Sequence, residues 1–487
     1  MSAKRFSRDH VFRSFLVILL TVLILVGISL FNGKISIFGW KPKKVMLFKD
    51  LFPTLSDKTF ETFSGSVLSD SGVVNNSNLR RRLLCDVEPY HGMVDYSADG
   101  NGLIRFFQKL SSVKSGGGKV RIAYFGDSMI EGDLLTADLR SMFQEKFGGR
   151  GVGFVPITSV VASFRSTIRH TFYDDWKEID FNSKERKSHA LPPSGHVFVV
   201  GSRDSLENQN QEPVEVATEQ KKQEAPWVLY QSSSSYKSLS PFQDIRLFYG
   251  NATAAELKVD VSLDKNEPLT ISLEGSSVMN VVTLNKGVPA DKVRMSFMSN
   301  APVDIYGCSF ESDSGVFIDN YAFRGTSGAQ LTSLPVSVTN EFDRIMQYDL
   351  VVLEYGLNVS DQNTTDVTWY VNNMIKSVNH IRACFPAADI LLIGAPDKGY
   401  KNDEGEIVTQ PSIPLLVEAQ RTIAKNTGIV FWDLYSAMGG YNTMKSWAEA
   451  TPPLAGKDYT HMSQGGARKV AQLLFDELMR KYGAYAD

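Results

Sequence analysis

Residues 120–125 (Val-Arg-Ile-Ala-Tyr-Phe) form an apolar run with one charged member, Arg121. Such a run predicts a strand buried on both faces of a parallel sheet. Gly126-Asp127-Ser128 interrupts it. Leu135, Leu139, Met142, Phe143 and Phe147 then recur on one side of a helix opening near Leu134. A strand, a tight turn and a helix place Ser128 at the carboxyl edge of a sheet, where ligands sit in such folds. The same alternation returns late in the chain. Strands are expected at 348–355, 390–393 and 429–432, and helices at 366–384, 412–426 and 464–481. Strands alternating with helices of this length predict right-handed crossovers and a parallel sheet covered by helices on both faces.

Between these two stretches the period changes. Strand-like runs at 196–200, 245–249, 257–262, 269–273, 278–284, 293–297 and 303–310 dominate, and Leu257-Lys-Val-Asp-Val-Ser-Leu263 alternates strictly. Short alternating runs between Gly, Asn and Asp turns predict an antiparallel sandwich of jelly-roll type. The expected organisation is a basic segment and apolar run at 1–31, a spacer at 32–99, an α/β domain in two parts at 100–156 and 311–487, and a β-sandwich inserted at 157–310. The polar stretch 207–224 and the serines 232–235 are expected to be loops. Trp227, Tyr230 and Tyr236 are candidates for rings that hold a ligand on the insert, the alternative being core packing.

The N-terminus adds a membrane question. Residues 15–31 are apolar and uncharged, and Lys4, Arg5, Arg8 and Arg13 precede them. This predicts a single transmembrane anchor with the remainder of the chain outside the cytoplasm, the alternative being a cleaved signal peptide. A formal net charge of −3 over 487 residues gives no reason to expect a nucleic-acid partner. The three cysteines, Cys85, Cys308 and Cys384, are far apart and show no metal-type spacing.

Three further pieces share the carboxyl edge with Ser128. Asn358, in Tyr355-Gly-Leu-Asn358, follows a predicted strand and can aim its amide toward that edge. Arg324-Gly-Thr-Ser-Gly-Ala329 offers glycine N–H groups with no Cβ in the way. In Asp458-Tyr-Thr-His461 the three-residue spacing lets the carboxylate fix the imidazole tautomer. A serine, an imidazole, a carboxylate and N–H donors are the components of acyl transfer through a serine nucleophile.

The series Gly126-Asp-Ser128, Gly328 or Gly325, Gly356-x-Asn358 and Asp458-x-x-His461 resembles the catalytic blocks of the GDSL/SGNH hydrolases. The resemblance implies a flavodoxin-like α/β/α fold, Ser128 as nucleophile, His461 as base and Asp458 as its orienter. It also implies an oxyanion hole from the Ser128 and Gly328 N–H groups and the Asn358 side chain, with Gly325 as the alternative glycine. Gly132-Asp-Leu-Leu-Thr136, Gly151-Val-Gly-Phe154, Met438-Gly-Gly440 and Trp447 are similar to the bacterial peptidoglycan O-acetylesterases, whose hydrolase domain is split by a jelly roll resembling a carbohydrate-binding module. Met129 departs from that pattern, in which many relatives carry a histidine, and leaves substrate preference open. The expected activity is removal of O-acetyl groups from a cell-envelope glycan, with no metal or organic cofactor. Transfer of the acetyl group to a sugar hydroxyl at the same site, or glycan binding by a vestigial hydrolase, are the alternatives.

Overall fold

The structure is a computed structural model that describes residues 92–201 and 225–486, apart from 253–255, 265, 276 and 286. The apolar run at 15–31, Cys85 and the polar stretch 207–224 lie outside the described residues. Among the described residues no helix is long and apolar enough to cross a membrane.

The chain runs through β1 (Met93–Asp95), α1 (Ile104–Gly116), β2 (Lys119–Gly126) and α2 (Thr136–Phe147). It continues through β3 (Gly153–Val155), β4 (Ile168–Phe172), β5 (Lys177–Asp180), β6 (His196–Val200), β7 (Trp227–Ser232), β8 (Asp244–Gly250) and β9 (Leu257–Leu263). Next come β10 (Leu269–Leu273), β11 (Asn280–Thr283), β12 (Lys292–Ser299) and β13 (Val303–Glu311). The last part holds β14 (Gly315–Ala322), α3 (Val336–Met346), β15 (Leu350–Glu354), α4 (Thr368–Cys384), β16 (Asp389–Ile393) and the hairpin of β17 (Gly399–Lys401) and β18 (Ile407–Thr409). It closes with α5 (Ser412–Thr427), β19 (Val430–Trp432), α6 (Leu434–Met438), α7 (Thr443–Glu449) and α8 (Gln464–Ala486).

One sheet has the order β14-β2-β15-β16-β19-β1, parallel except for β1 at its edge. From β2 the chain moves outward to β14, then crosses back to β15 on the other side of β2. The strand order therefore reverses between β2 and β15, and a crevice opens at their carboxyl ends. Ser128 follows β2 and Asn358 follows β15, so the switch point brings the two together.

Two strands of this sheet depart from the sequence expectation. β1 lies within the stretch expected to be spacer. β14 escaped because Asp319 and Asn320 break its apolar run, yet Asp319 is buried, Asn320 is half-buried, and both serve as connectors. Asp319 accepts from the Phe154 N–H at 2.8 Å and the Tyr348 hydroxyl at 2.7 Å, and Asn320 donates to the Ile130 carbonyl at 2.8 Å.

The strands from β3 to β13 build two antiparallel sheets, β10-β9-β12-β7-β4 and β11-β8-β13-β6-β5, with β3 also paired to β13. β3 thus joins a sheet whose start the sequence period placed a few residues later. Alternate residues of the two sheets, such as Val259, Val293 and Met295 facing Leu247, Ile305 and Phe310, share one apolar core. Rings also cross to the other core. Phe248 of β8 lies 5.2 Å from Phe342 of α3, and Phe154 of β3 lies 5.7 Å from it.

Charge locks the same seam. Arg121, the single charge noted in the β2 run, is buried and donates to Glu311 at the end of β13, to Asp319 at 3.2 Å and to the Met346 carbonyl at 3.0 Å. Arg246 also reaches Glu311, at 2.5 Å, and Lys119 lies 3.4 Å from it. Burial works against ionisation of Glu311, but these three cations hold its carboxyl down to about 2.

Candidate active site

Ser128 sits in the turn after β2, partly buried, with its Oγ 3.3 Å from His461 Nε2. His461 Nδ1 donates to Asp458 Oδ2 at 2.7 Å. The second Asp458 oxygen accepts from the backbone N–H groups of Thr460 and His461, each at 3.1 Å. Partial burial pushes the Asp458 carboxyl up, but the imidazole bond and these two N–H groups outweigh it and leave it below the usual carboxylate range. Asp458 is therefore ionised near neutral pH and holds the His461 proton on Nδ1, leaving Nε2 as an acceptor facing Ser128. A serine–imidazole distance of 3.3 Å suits a resting site that tightens when substrate binds.

Asp127 lies behind the serine, buried, and its carboxylate accepts from the Met129 N–H at 3.0 Å and from Asn358 Nδ2 at 2.8 Å. Burial raises it to about 6. Glu354, the last residue of β15, is buried beside it, accepts from the Tyr124 hydroxyl at 2.5 Å and is raised by burial to about 7. Sequence reasoning passed over both carboxylates. The available signal was a glutamate closing an otherwise apolar strand.

The candidate oxyanion donors sit in different surroundings. Gly328 is buried with φ +89°, and its N–H is already taken by Thr326 Oγ1 at 3.0 Å. A Cβ there would lie 2.9 Å from the Tyr355 ring and 2.7 Å from Met374 Sδ, so this glycine permits close packing. Gly325 is exposed, with nothing within 4 Å of a Cβ position, and among the described residues neither its N–H nor that of Ser128 has a partner. Asn358 is brought to the serine turn, but its amide hydrogens reach Asp127 Oδ2 and, at 2.9 Å, the Thr326 carbonyl. It thereby ties the turn after β2 to the 324–328 loop.

Of the three aromatic candidates on the insert, Tyr230 is buried. Its ring stacks on His170 at 4.7 Å, and its hydroxyl donates to the Pro156 carbonyl at 2.7 Å. Tyr236 spends its hydroxyl on Asp138 at 3.0 Å, and Trp227 lies under the Arg294 guanidinium at 4.9 Å. Tyr230 therefore serves the core, Tyr236 packs at its edge in the loop after β7, and Trp227 lies partly exposed on the face of β7 opposite Val228. Cys308 and Cys384 are buried free thiols. Among the described residues no three His, Cys, Asp or Glu side chains gather where they could hold a metal ion.

A serine, an imidazole and a carboxylate in hydrogen-bonded series at the switch point of a parallel sheet define a serine acyl hydrolase. Residues 308–469 match the sequence model of the GDSL-like lipase/acylhydrolase family. A solved structure of a peptidoglycan O-acetylesterase is 25% identical, with a TM-score of 0.62, over 80% of this chain and 99% of the other. The chain is a carboxylic ester hydrolase, similar in this part to the GDSL-like acylhydrolases. An acetyl xylan esterase (17% identical, TM-score 0.25, 33% of this chain and 80% of the other) and a family two carbohydrate esterase from Cellvibrio japonicus (9% identical, TM-score 0.24, 66% and 99%) are similar too loosely to carry any argument. No curated protein matches the sequence.

Proposed function

We propose that this chain removes O-acetyl groups from a cell-envelope glycan of the peptidoglycan kind. The observation that carries the proposal is the unbroken Ser128–His461–Asp458 series at the β2/β15 switch point. The likeness to a peptidoglycan O-acetylesterase over 80% of the chain supports the choice of substrate. Ser128 Oγ attacks the acetyl carbonyl while His461 Nε2 takes the hydroxyl proton, and Asp458 stabilises the imidazolium without accepting that proton. The tetrahedral oxyanion is met by the Ser128 and Gly325 N–H groups, with Asn358 sharing an amide hydrogen when the substrate draws it from Asp127. Collapse returns the proton to the departing sugar oxygen. Water then attacks the acyl-enzyme, again with His461 as base, and acetate leaves.

The basic residues ahead of the apolar run at 15–31 support an anchor that leaves this site outside the cytoplasm. Acetate release from acetylated peptidoglycan, with wild type and Ser128→Ala side by side, tests the reading. Wild type is expected to release acetate and Ser128→Ala none. Acetyl groups appearing on an added sugar acceptor would make the protein a transferase. Absence of activity on both acetylated glycan and p-nitrophenyl acetate would sink the enzyme reading.

A further inference from the structure

Two depressions lie beside the turn that carries Ser128, and both are lined by Gly132 and Asp133. One, of about 140 Å³, reaches Gln464, three residues beyond His461. The other, of about 260 Å³, reaches Glu131, three residues beyond Ser128, and Arg324, which precedes Gly325. Their shared wall runs along the seam between the sandwich and the hydrolase sheet. Segment 158–166 of the sandwich overhangs that wall. Phe164 projects from it into the first depression, and Val160 and Val161 line the second.

Phe164 is 55% exposed, although it is a large apolar ring. Its edge rests on Gly132, where a Cβ would come within 2.8 Å of Phe164 Cδ1. Gly132 has φ +70°, so the turn after the nucleophile needs glycine both for its backbone and for the ring above it. The segment is also fixed from below. Asp133, buried and at φ +67°, receives both guanidinium nitrogens of Arg140 at 2.8 Å, the Thr167 hydroxyl at 2.7 Å and Arg165 at 3.3 Å. The Phe164 ring is thus indexed to the turn that carries Ser128, and it still presents a free surface to solvent.

We propose that this seam is a binding groove for the sugar chain bearing the ester, with Phe164 as the platform on which a pyranose next to the acetylated residue stacks. This rests on the glycan reading above. An apolar ring beside hydrogen-bonding groups suits a sugar, whose C–H face is apolar and whose rim is hydroxylic. Ser166, Ser235 and Gln464 on one side and Glu178, His196 and Arg324 on the other supply that rim. Trp369 and Tyr441 are also exposed aromatics, but neither lines these depressions.

The test measures kcat and KM of the full-length protein on acetylated peptidoglycan and on p-nitrophenyl acetate. Phe164→Ala is expected to lower kcat/KM on the polymer about tenfold, mainly through KM, so that the polymer-to-small-ester ratio falls by about the same factor. Phe164→Leu should fail like Phe164→Ala, because it keeps apolar bulk without an aromatic face. Phe164→Trp should restore the ratio. Leu269→Ala, on an exposed position of β10, should change neither substrate. A Phe164→Ala enzyme with an unchanged ratio, or Phe164→Leu as active on polymer as wild type, would overturn the groove and leave the esterase standing. Wild-type turnover of p-nitrophenyl acetate without any release from acetylated glycan would overturn both the substrate reading and the groove.

Discussion

Two sets of charged side chains support the chemistry of this enzyme under opposite conditions. Asp458 and His461 lie three residues apart, with side chains 52% and 51% exposed. Arg121, Glu311 and Asp319 have side chains that are at most 1% exposed, and the arginine stands 190 and 198 residues from its partners. The first set costs the fold little, because water still solvates it. The second set joins a sandwich strand to the parallel sheet that carries Ser128, and each of its charges depends on the others. Reactivity is thus local and exposed, while alignment is non-local and buried.

The comparison breaks most visibly if the exposed pair turns out to matter for stability. His461→Ala should lower kcat/KM on a simple acetyl ester by about 10⁴ to 10⁶ while the denaturation midpoint stays put. A loss of activity accompanied by an equal loss of folded protein would mean the pair is part of the scaffold. Glu311→Ala is expected to do the reverse. It leaves Arg121, Arg246 and Lys119 without their shared counter-charge and should cost about 3–5 kcal/mol in urea unfolding, with the folded fraction still turning over. An unchanged midpoint would show that the seam is held by its rings alone.

How far each set could be read from the sequence follows from the same contrast. The Asp458-x-x-His461 spacing and the Gly-Asp-Ser turn are local, so sequence alone identified three of the side chains that the fold brings together. The strands β2, β15, β16 and β19 were also legible, being short apolar runs with helices between them. β14 was not, because Asp319 and Asn320 look like loop residues until Arg121, Tyr348 and the Phe154 N–H are seen around them. The sequence left Gly325 and Gly328 open, because only the fold shows which N–H already has a partner. Phe164 gave no signal, as an isolated apolar residue in a polar segment is usually ordinary.

Asn358 stands between the two sets, exposed, with its amide on Asp127 and on the Thr326 carbonyl. Asn358→Ala should reduce kcat on the order of 10² to 10³ if the amide also meets the oxyanion. A change confined to KM would make it a connector between loops. The pH profile of the variant separates these further, since Asp127 loses a bond that favours its ionised form and its carboxyl should move up from about 6.

The smallest expected effect concerns stability against pH. Asp127, Asp343, Asp349 and Asp389 are each raised to about 6, and Glu354 to about 7, in every case first by burial. In the unfolded chain such groups titrate near 4. Between about pH 4 and 7 the folded state therefore binds more protons than the unfolded one, and stability falls as pH rises through that window. His170 opposes this. Burial holds it down to about 4, so it favours folding as pH rises from 4 toward 6.5, but it is one group against five. Glu311, held at about 2, acts at the acid end, where its stabilisation is lost as pH drops from the usual carboxylate range through its own. The thermal midpoint at constant ionic strength should accordingly be highest near pH 4 and a few degrees lower at pH 8. Asp343→Asn should flatten that slope in part, because the amide keeps an acceptor for the Tyr348 N–H, a 3.0 Å bond, without a charge to bury. A midpoint that rises from pH 5 to pH 8 would mean that these carboxylates are ionised in the folded protein throughout, and that the seam and the switch point are wetter than their burial implies.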